Sequence, residues 1–213
     1  MNITIIGAGN VGGTLGRRWA QNGHHVTFGV RDPQSPKVQE VLRAAGANAR
    51  ATSVREAAAA AECILLATPW TATQDVIQTA GNLSGKIVVD CTNPLAPGLR
   101  GLALGHTTSG GEQVANWAAG ARVVKAFNMT GAKNMANPAY GAQQVTMFIC
   151  GDDTEAKATV GRLAAELGFE VIDTGPLTTA RYLEPLAMLW IHLAYVQGLG
   201  PDFAFKIIQR PTS

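Results

Sequence analysis

Ile3-Thr4-Ile5-Ile6-Gly7-Ala8-Gly9-Asn10-Val11-Gly12 decides how this chain reads. A short β-branched run ends in G-x-G-x-x-G, and Leu15, Trp19 and Ala20 follow at helical spacing. Strand, glycine-rich turn and helix, in that order, are the context a dinucleotide-binding loop requires. Gly7 would make the tight turn, Gly9 would let backbone approach a pyrophosphate, and Gly12 would let the helix pack closely on the strand. The phosphates would rest on the free N–H groups of the first helical turn.

The pattern continues outward. Strand-like runs recur at Asn2–Ile6, His25–Val30, Cys63–Ala67, Lys86–Cys91, Arg122–Phe127, Val145–Cys150 and Glu170–Asp173. Between them, helices are predicted at Asn10–Asn22, Pro36–Ala45, Val54–Ala60, Thr71–Ala80, Glu112–Ala118, Asp153–Leu167 and Thr178–Val196. Such alternation predicts an α/β fold: a Rossmann-type doubly wound parallel sheet. The Pro- and Gly-rich stretch Asn93–Gly111 is the longest irregular piece, and loops of that length are usually functional.

Composition narrows the partners. A formal net charge of +2 with 15% charged residues offers no basic surface for nucleic acid. No apolar run is long enough to span a membrane, and the first residues carry no secretory pattern. Cys63, Cys91 and Cys150 lie in or beside apolar strands with no metal-ligand spacing, and are expected to be buried small hydrophobes. An odd cysteine count without a leader fits a reducing cytoplasm. No histidine pairs with a plausible nucleophile or metal partner.

Ligands of open α/β sheets bind at the carboxyl edge of the strands, so the loops there carry the candidate site. After the second strand comes Val30-Arg31-Asp32-Pro33. A guanidinium at Arg31 suits the 2′-phosphate of NADP, with Ser35 and Lys37 as further donors, whereas Asp32 would suit the ribose hydroxyls of NAD. Thr68-Pro69-Trp70 follows the third predicted strand, and the Trp70 ring either covers the cofactor or packs below it. Asn93-Pro94 and Asn128 bring side-chain amides to where a nicotinamide would lie. Edge loops with amides and hydroxyls but no acid–base pair suit hydride transfer, in which the cofactor carries the chemistry and the protein orients it.

On these motifs the chain resembles the NADPH-dependent oxidoreductases of the deazaflavin coenzyme F420. The likeness rests on Gly7–Gly12, Val30-Arg31, Pro69-Trp70, Asn93-Pro94-Leu95, Cys150-Gly151-Asp152-Asp153 and the run from Asp173 to Leu177 leading into Ala180–Glu184. It implies an NADP-binding Rossmann domain over residues 1–126 and a small C-terminal α/β domain over 127–213 that closes the acceptor cleft. It also implies that Ala8, Gly9, Asn10 and Val11 line the pyrophosphate, that Pro69, Asn93, Pro94 and Ala132 lie near the ribose or nicotinamide, and that hydride passes directly between two rings. At Phe127–Gly131 the chain departs from that family, which carries a histidine and a proline at the acceptor face. Lys125-Ala126-Phe127-Asn128 is closer to the reductase domains of six-transmembrane metalloreductases, which pass electrons from NADPH to a flavin. The acceptor is therefore the deazaflavin, a free flavin or another conjugated small molecule. A non-catalytic NADP-sensing module is the reading from a different class.

Two expectations concern the C-terminal helix. Arg181 and Glu184 are expected to form an exposed i,i+3 pair. Leu183, Leu186, Ala187, Leu189, Trp190, Leu193, Ala194 and Val196 leave the helix little polar face, which predicts either a homodimer through it or burial against Phe203–Ile208.

Overall fold

In the computed structural model, which describes residues 1–210, β1 (Asn2–Ile6) sits inside an eight-stranded sheet. Ile3 through Ile6 are all buried, as they must be in a strand covered by helices on both faces. The chain runs on through α1 (Asn10–Gln21), β2 (His25–Gly29), α2 (Pro36–Ala45), β3 (Ala49–Thr52), α3 (Val54–Ala59), β4 (Cys63–Leu66) and α4 (Trp70–Ala80). β5 (Ile87–Asp90), α5 (Gly110–Trp117), β6 (Arg122–Lys125) and α6 (Ala132–Ala136) follow. Then come a small hairpin, β7 (Ala139–Tyr140) with β8 (Gln143–Gln144), and β9 (Thr146–Gly151), α7 (Thr154–Ala165), β10 (Glu170–Asp173) and α8 (Ala180–Ile191).

The strand order is β10-β9-β6-β5-β4-β1-β2-β3, with every neighbouring pair parallel except β6 and β9. The exception goes with the kind of connection. A parallel connection needs a crossover of a dozen or more residues, usually a helix packed back across the sheet. Between β6 and β9 the chain offers only the short α6 and the hairpin, so it re-enters from the edge it left. β9 and β10 continue the same sheet rather than starting another.

One core joins the two halves of the chain. Trp19 on α1 meets Phe127 edge-on at 5.7 Å, and Phe127 meets Phe169 at 6.2 Å. The Trp19 indole donates to Leu163 O, and the Arg18 guanidinium donates to Met135, Ala136 and Leu167 carbonyls, satisfying the ends of α6 and α7.

Several sequence expectations change. β3 was not expected: Ala49-Arg50-Ala51-Thr52 lacks the apolar run of an inner strand because it forms the sheet edge. α5 begins two residues earlier than predicted, where the Ser109 hydroxyl accepts from Glu112 N and so caps the helix. The single helix predicted over Thr178–Val196 is a 3₁₀ turn at Leu177–Thr179, then α8, then a π turn at His192–Val196. Nor is that helix apolar toward an external partner on all sides. Leu183, Ala187, Trp190 and Ala194 are buried within the chain, and Trp190 stacks on Phe203 at 5.4 Å while donating to its carbonyl. Tyr182, Leu189, Tyr195, Val196 and Leu199 form the exposed remainder.

Candidate functional site

The carboxyl ends of β2, β1, β4, β5 and β6 lie side by side, so the loops after them form one continuous rim. Gly7 ends β1 at φ +107°, and a Cβ there would sit 2.5 Å from Ala67 O. Gly12 is equally constrained, since its Cβ would lie 2.0 Å from Gly7 O and 3.0 Å from Ile5. Gly9 is different. It caps α1 with extended backbone, Gly13 N donates to its carbonyl, and a Cβ on it would meet nothing within 4 Å. Two glycines thus serve the fold, and the third leaves open space over the first turn of the helix, beside Ala8, Asn10 and Val11.

Beyond β2, Val30 N bonds Thr52 O and fixes the turn. Asp32 Oδ1 accepts from Gln34 N, which commits one carboxylate oxygen to the loop itself. Arg31 and Lys37 are exposed, and neither side chain makes a hydrogen bond to another described residue. Ser35 is the N-cap of α2 but its hydroxyl makes no cap bond. Arg31, Ser35 and Lys37 therefore present uncommitted donors at one corner of the rim.

After β4, the Thr68 hydroxyl meets that of Thr73, which donates to Pro69 O. Pro69 is exposed, and Trp70 packs on Trp117 at 5.1 Å and against Gly110, which places its ring below the rim. After β5 and β6, Asn93 and Asn128 clasp each other. Asn93 Nδ2 donates to Asn128 O at 2.8 Å, and Asn128 Nδ2 donates to Asn93 Oδ1 at 3.0 Å and to Leu183 O at 3.2 Å. Asn128 Oδ1 is buried with no hydrogen-bond partner. Pro94 is buried beneath the clasp, and Ala132 opens α6 at the same edge.

Beneath the clasp lies a charge network that the sequence reading missed. Lys125 Nζ contacts Asp90 Oδ2 at 2.8 Å, Glu184 Oε1 at 2.7 Å and Thr92 O at 2.6 Å. The three ionisable side chains are at most 1% exposed. Asp90 Oδ1 accepts from Thr92 N and Oγ1, and the Glu184 carboxylate accepts from Gly110 N and Gly111 N at the start of α5. Those N–H groups carry the positive end of the helix dipole and offset the network's excess negative charge. Burial alone would lower the Lys125 pKa, but the Asp90 and Glu184 carboxylates outweigh it and hold the ammonium above its ordinary value.

The expected Arg181–Glu184 surface pair is absent. Arg181 instead forms a fork with Glu112, with distances of 2.6 and 2.9 Å, while Glu184 turns inward. That fork, foremost, holds the Glu112 carboxyl below the usual range. The three cysteines are buried, and burial pushes the Cys63 and Cys150 thiols up to about 12 and Cys91 well above its ordinary value, which makes them poor nucleophiles. Among the described residues no helix is long and apolar enough to cross a membrane. A depression of about 420 Å³ between Thr4, Thr27 and Arg50 lies toward the amino ends of β1, β2 and β3, remote from the rim.

Residues 2–94 match the family model described as NADP oxidoreductase coenzyme F420-dependent. A crystallised Arthrobacter sp. FB24 protein, provisionally described as an F420-dependent NADP-reductase, is 36% identical, with a TM-score of 0.90 over 98% of this chain and 100% of its own. Metalloreductase STEAP3 of Rattus norvegicus is 35% identical over 193 residues, which is 88% of this chain but 37% of that protein. The chain thus spans little more than a third of the curated relatives it matches. A reductive aminase from Aspergillus terreus, solved in complex with NADPH and ethyl levulinate, shares the fold at 20% identity and a TM-score of 0.66 over 92% of this chain and 62% of its own. The chain belongs to the coenzyme F420-dependent NADP oxidoreductase family.

Proposed function

We propose that the protein is an NADPH-dependent oxidoreductase that passes a hydride between the cofactor and a conjugated ring acceptor, the deazaflavin coenzyme F420. The observation that carries this reading is the rim itself: open space over Gly9 at one point, and the uncommitted Arg31 guanidinium at the next loop. The first accommodates a pyrophosphate on the N–H groups of α1, and the second a 2′-phosphate. Asn10, Val11 and Thr68 line the path between, and Pro69, Asn93, Pro94, Asn128 and Ala132 frame the nicotinamide end.

The bound cofactor supplies the hydride. The protein holds and orients the two rings, because the ionisable groups beneath the clasp are dry and mutually paired and offer no proton to the rim. Free flavin is the second reading, supported by the resemblance of Lys125-Ala126-Phe127-Asn128 to the metalloreductase branch, to one member of which the chain is 35% identical. A symmetric homodimer belongs to the same proposal, its contact the exposed stripe of Tyr182, Leu189 and Val196 on the C-terminal helix.

The test is anaerobic oxidation of NADPH with F420, with FMN and with no acceptor. Turnover with F420 above both other conditions supports the reading. FMN turnover alone moves the assignment to a flavin reductase, and NADPH binding with background oxidation throughout favours a sensing module.

A further inference from the structure

The charge network and the amide clasp are tied together residue by residue. Asp90 holds Thr92 by its N–H and hydroxyl, and Asn93 is the next residue. Lys125 lies three positions before Asn128, with the chain between them turning through Phe127 at φ +59°. That value is a strained one for a buried aromatic residue, persisting only where the surroundings impose it. The Phe127 N–H is held by Met147 Sδ, and its ring is clamped between Trp19 and Phe169. On the third side, Asn128 Nδ2 donates to Leu183 O, the carbonyl immediately before Glu184. Each arm of the clasp is thus set by a neighbour of an ion in the network.

The orientation of the Asn128 amide follows from its partners. Nδ2 faces two acceptors, Asn93 Oδ1 and Leu183 O, so an exchange of oxygen and nitrogen would oppose acceptor to acceptor. The unpartnered Oδ1 is therefore a fixed, buried acceptor at the rim. An unsatisfied buried carbonyl is costly, and the network makes that arrangement rigid rather than allowing it to relax.

Resting on the reading that NADPH occupies this rim, we propose that Asp90, Lys125 and Glu184 are positioning residues: the network holds the Asn93–Asn128 clasp so that the nicotinamide is ordered for hydride transfer. Glu184 does this from the C-terminal helix without touching cofactor. Gly110 and Gly111 are part of the device. Both donate their N–H groups to the Glu184 carboxylate, and a Cβ on Gly110 would lie 3.0 Å from Glu184 Oε1. The phosphate-binding corner is formed by other loops, so the network should govern the ring end of the cofactor and not its adenosine end.

The test compares Glu184→Gln, Asn128→Ala and the double variant. Three readouts are needed: affinity for adenosine 2′,5′-bisphosphate, nicotinamide fluorescence anisotropy of bound NADPH, and single-turnover hydride transfer to F420. Each single variant should keep its affinity for the bisphosphate, lose ring anisotropy and transfer hydride about 10- to 100-fold more slowly, as expected for a misplaced reactant. The double variant should be no worse than the worse single one, because the two residues act through the same clasp. Normal anisotropy in either folded single variant overturns the proposal, as do multiplicative losses in the double. Should Glu184→Gln fail to fold, Glu184→Asp takes its place, and normal anisotropy in Asn128→Ala refutes the idea by itself. Wild-type protein that binds NADPH without ordering its ring overturns this inference alone, whereas wild-type protein that binds neither ligand overturns the proposed function with it.

Discussion

Replacing Lys125 with Met should expose how much of the fold depends on one buried cation. Met matches the length of the lysine stem and fills its channel, so the loss is one of charge rather than volume. What remains is Asp90 and Glu184, at most 1% exposed, with their shared ammonium gone. Breaking a buried ion pair by removing one partner costs about 3–5 kcal/mol, because the other partner stays charged and dry. Against a total stability of about 5–15 kcal/mol this is a large fraction, and at about 2–4 °C per kcal/mol the melting temperature should fall by about 6–20 °C.

The sign with pH separates charge from packing. In wild type the Lys125 pKa is held above its ordinary value of 10.5, so its contribution is complete below that pH and drains only as pH rises through the higher folded value. In Lys125→Met that alkaline loss should be absent, because the group that titrates is gone. Adding Glu184→Gln should restore part of the loss, since one orphaned charge is removed. Denaturant melts at neutral and strongly alkaline pH measure all of this. A loss of less than about 1 kcal/mol would refute the reasoning, because it would place Lys125 in the range of a solvent-exposed pair.

Gly9→Val should melt like wild type but lose NADPH binding, while Gly12→Val should lose the fold, because only the second would drive a side chain into Gly7 O; parallel melting curves and NADPH titrations decide. The stabilising effect of the Arg181–Glu112 fork should be present at neutral pH and disappear as pH falls through the depressed Glu112 pKa, so wild type and Arg181→Ala should converge in acid melts. Leu189→Glu should turn a two-chain mass into a one-chain mass in sedimentation equilibrium without changing the melt, whereas Trp190→Glu should unfold the protein, because Trp190 is buried on Phe203.

How much of this was legible in the sequence depends on how local the signal is. The strand, glycines and helix of residues 2–21 are local, and their pattern agrees with the structure nearly to the residue. β3 was not legible, since Ala49-Arg50-Ala51-Thr52 is identified as a strand only by pairing with β2 at the sheet edge. Ser109-Gly110-Gly111-Glu112 did carry a readable signal, the spacing of a capping box. The charge network left a fainter one. Asp90 and Lys125 each close an apolar strand with the wrong polarity for a core, and the β5–β6 register places them opposite each other. Glu184 could not be read the same way. From sequence it is one polar residue three positions from Arg181, and only the tertiary fold shows that Arg181 has Glu112 as its partner.

The central claim, that this rim binds NADP through Arg31, is tested most directly by calorimetric titration of wild type and Arg31→Ala with NADPH and with NADH. A charge-assisted hydrogen bond to phosphate contributes about 1.5–3 kcal/mol, so NADPH affinity should fall about 10- to 150-fold and NADH affinity should stay nearly unchanged. Equal losses for the two cofactors, or an unaltered NADPH affinity, would contradict the account.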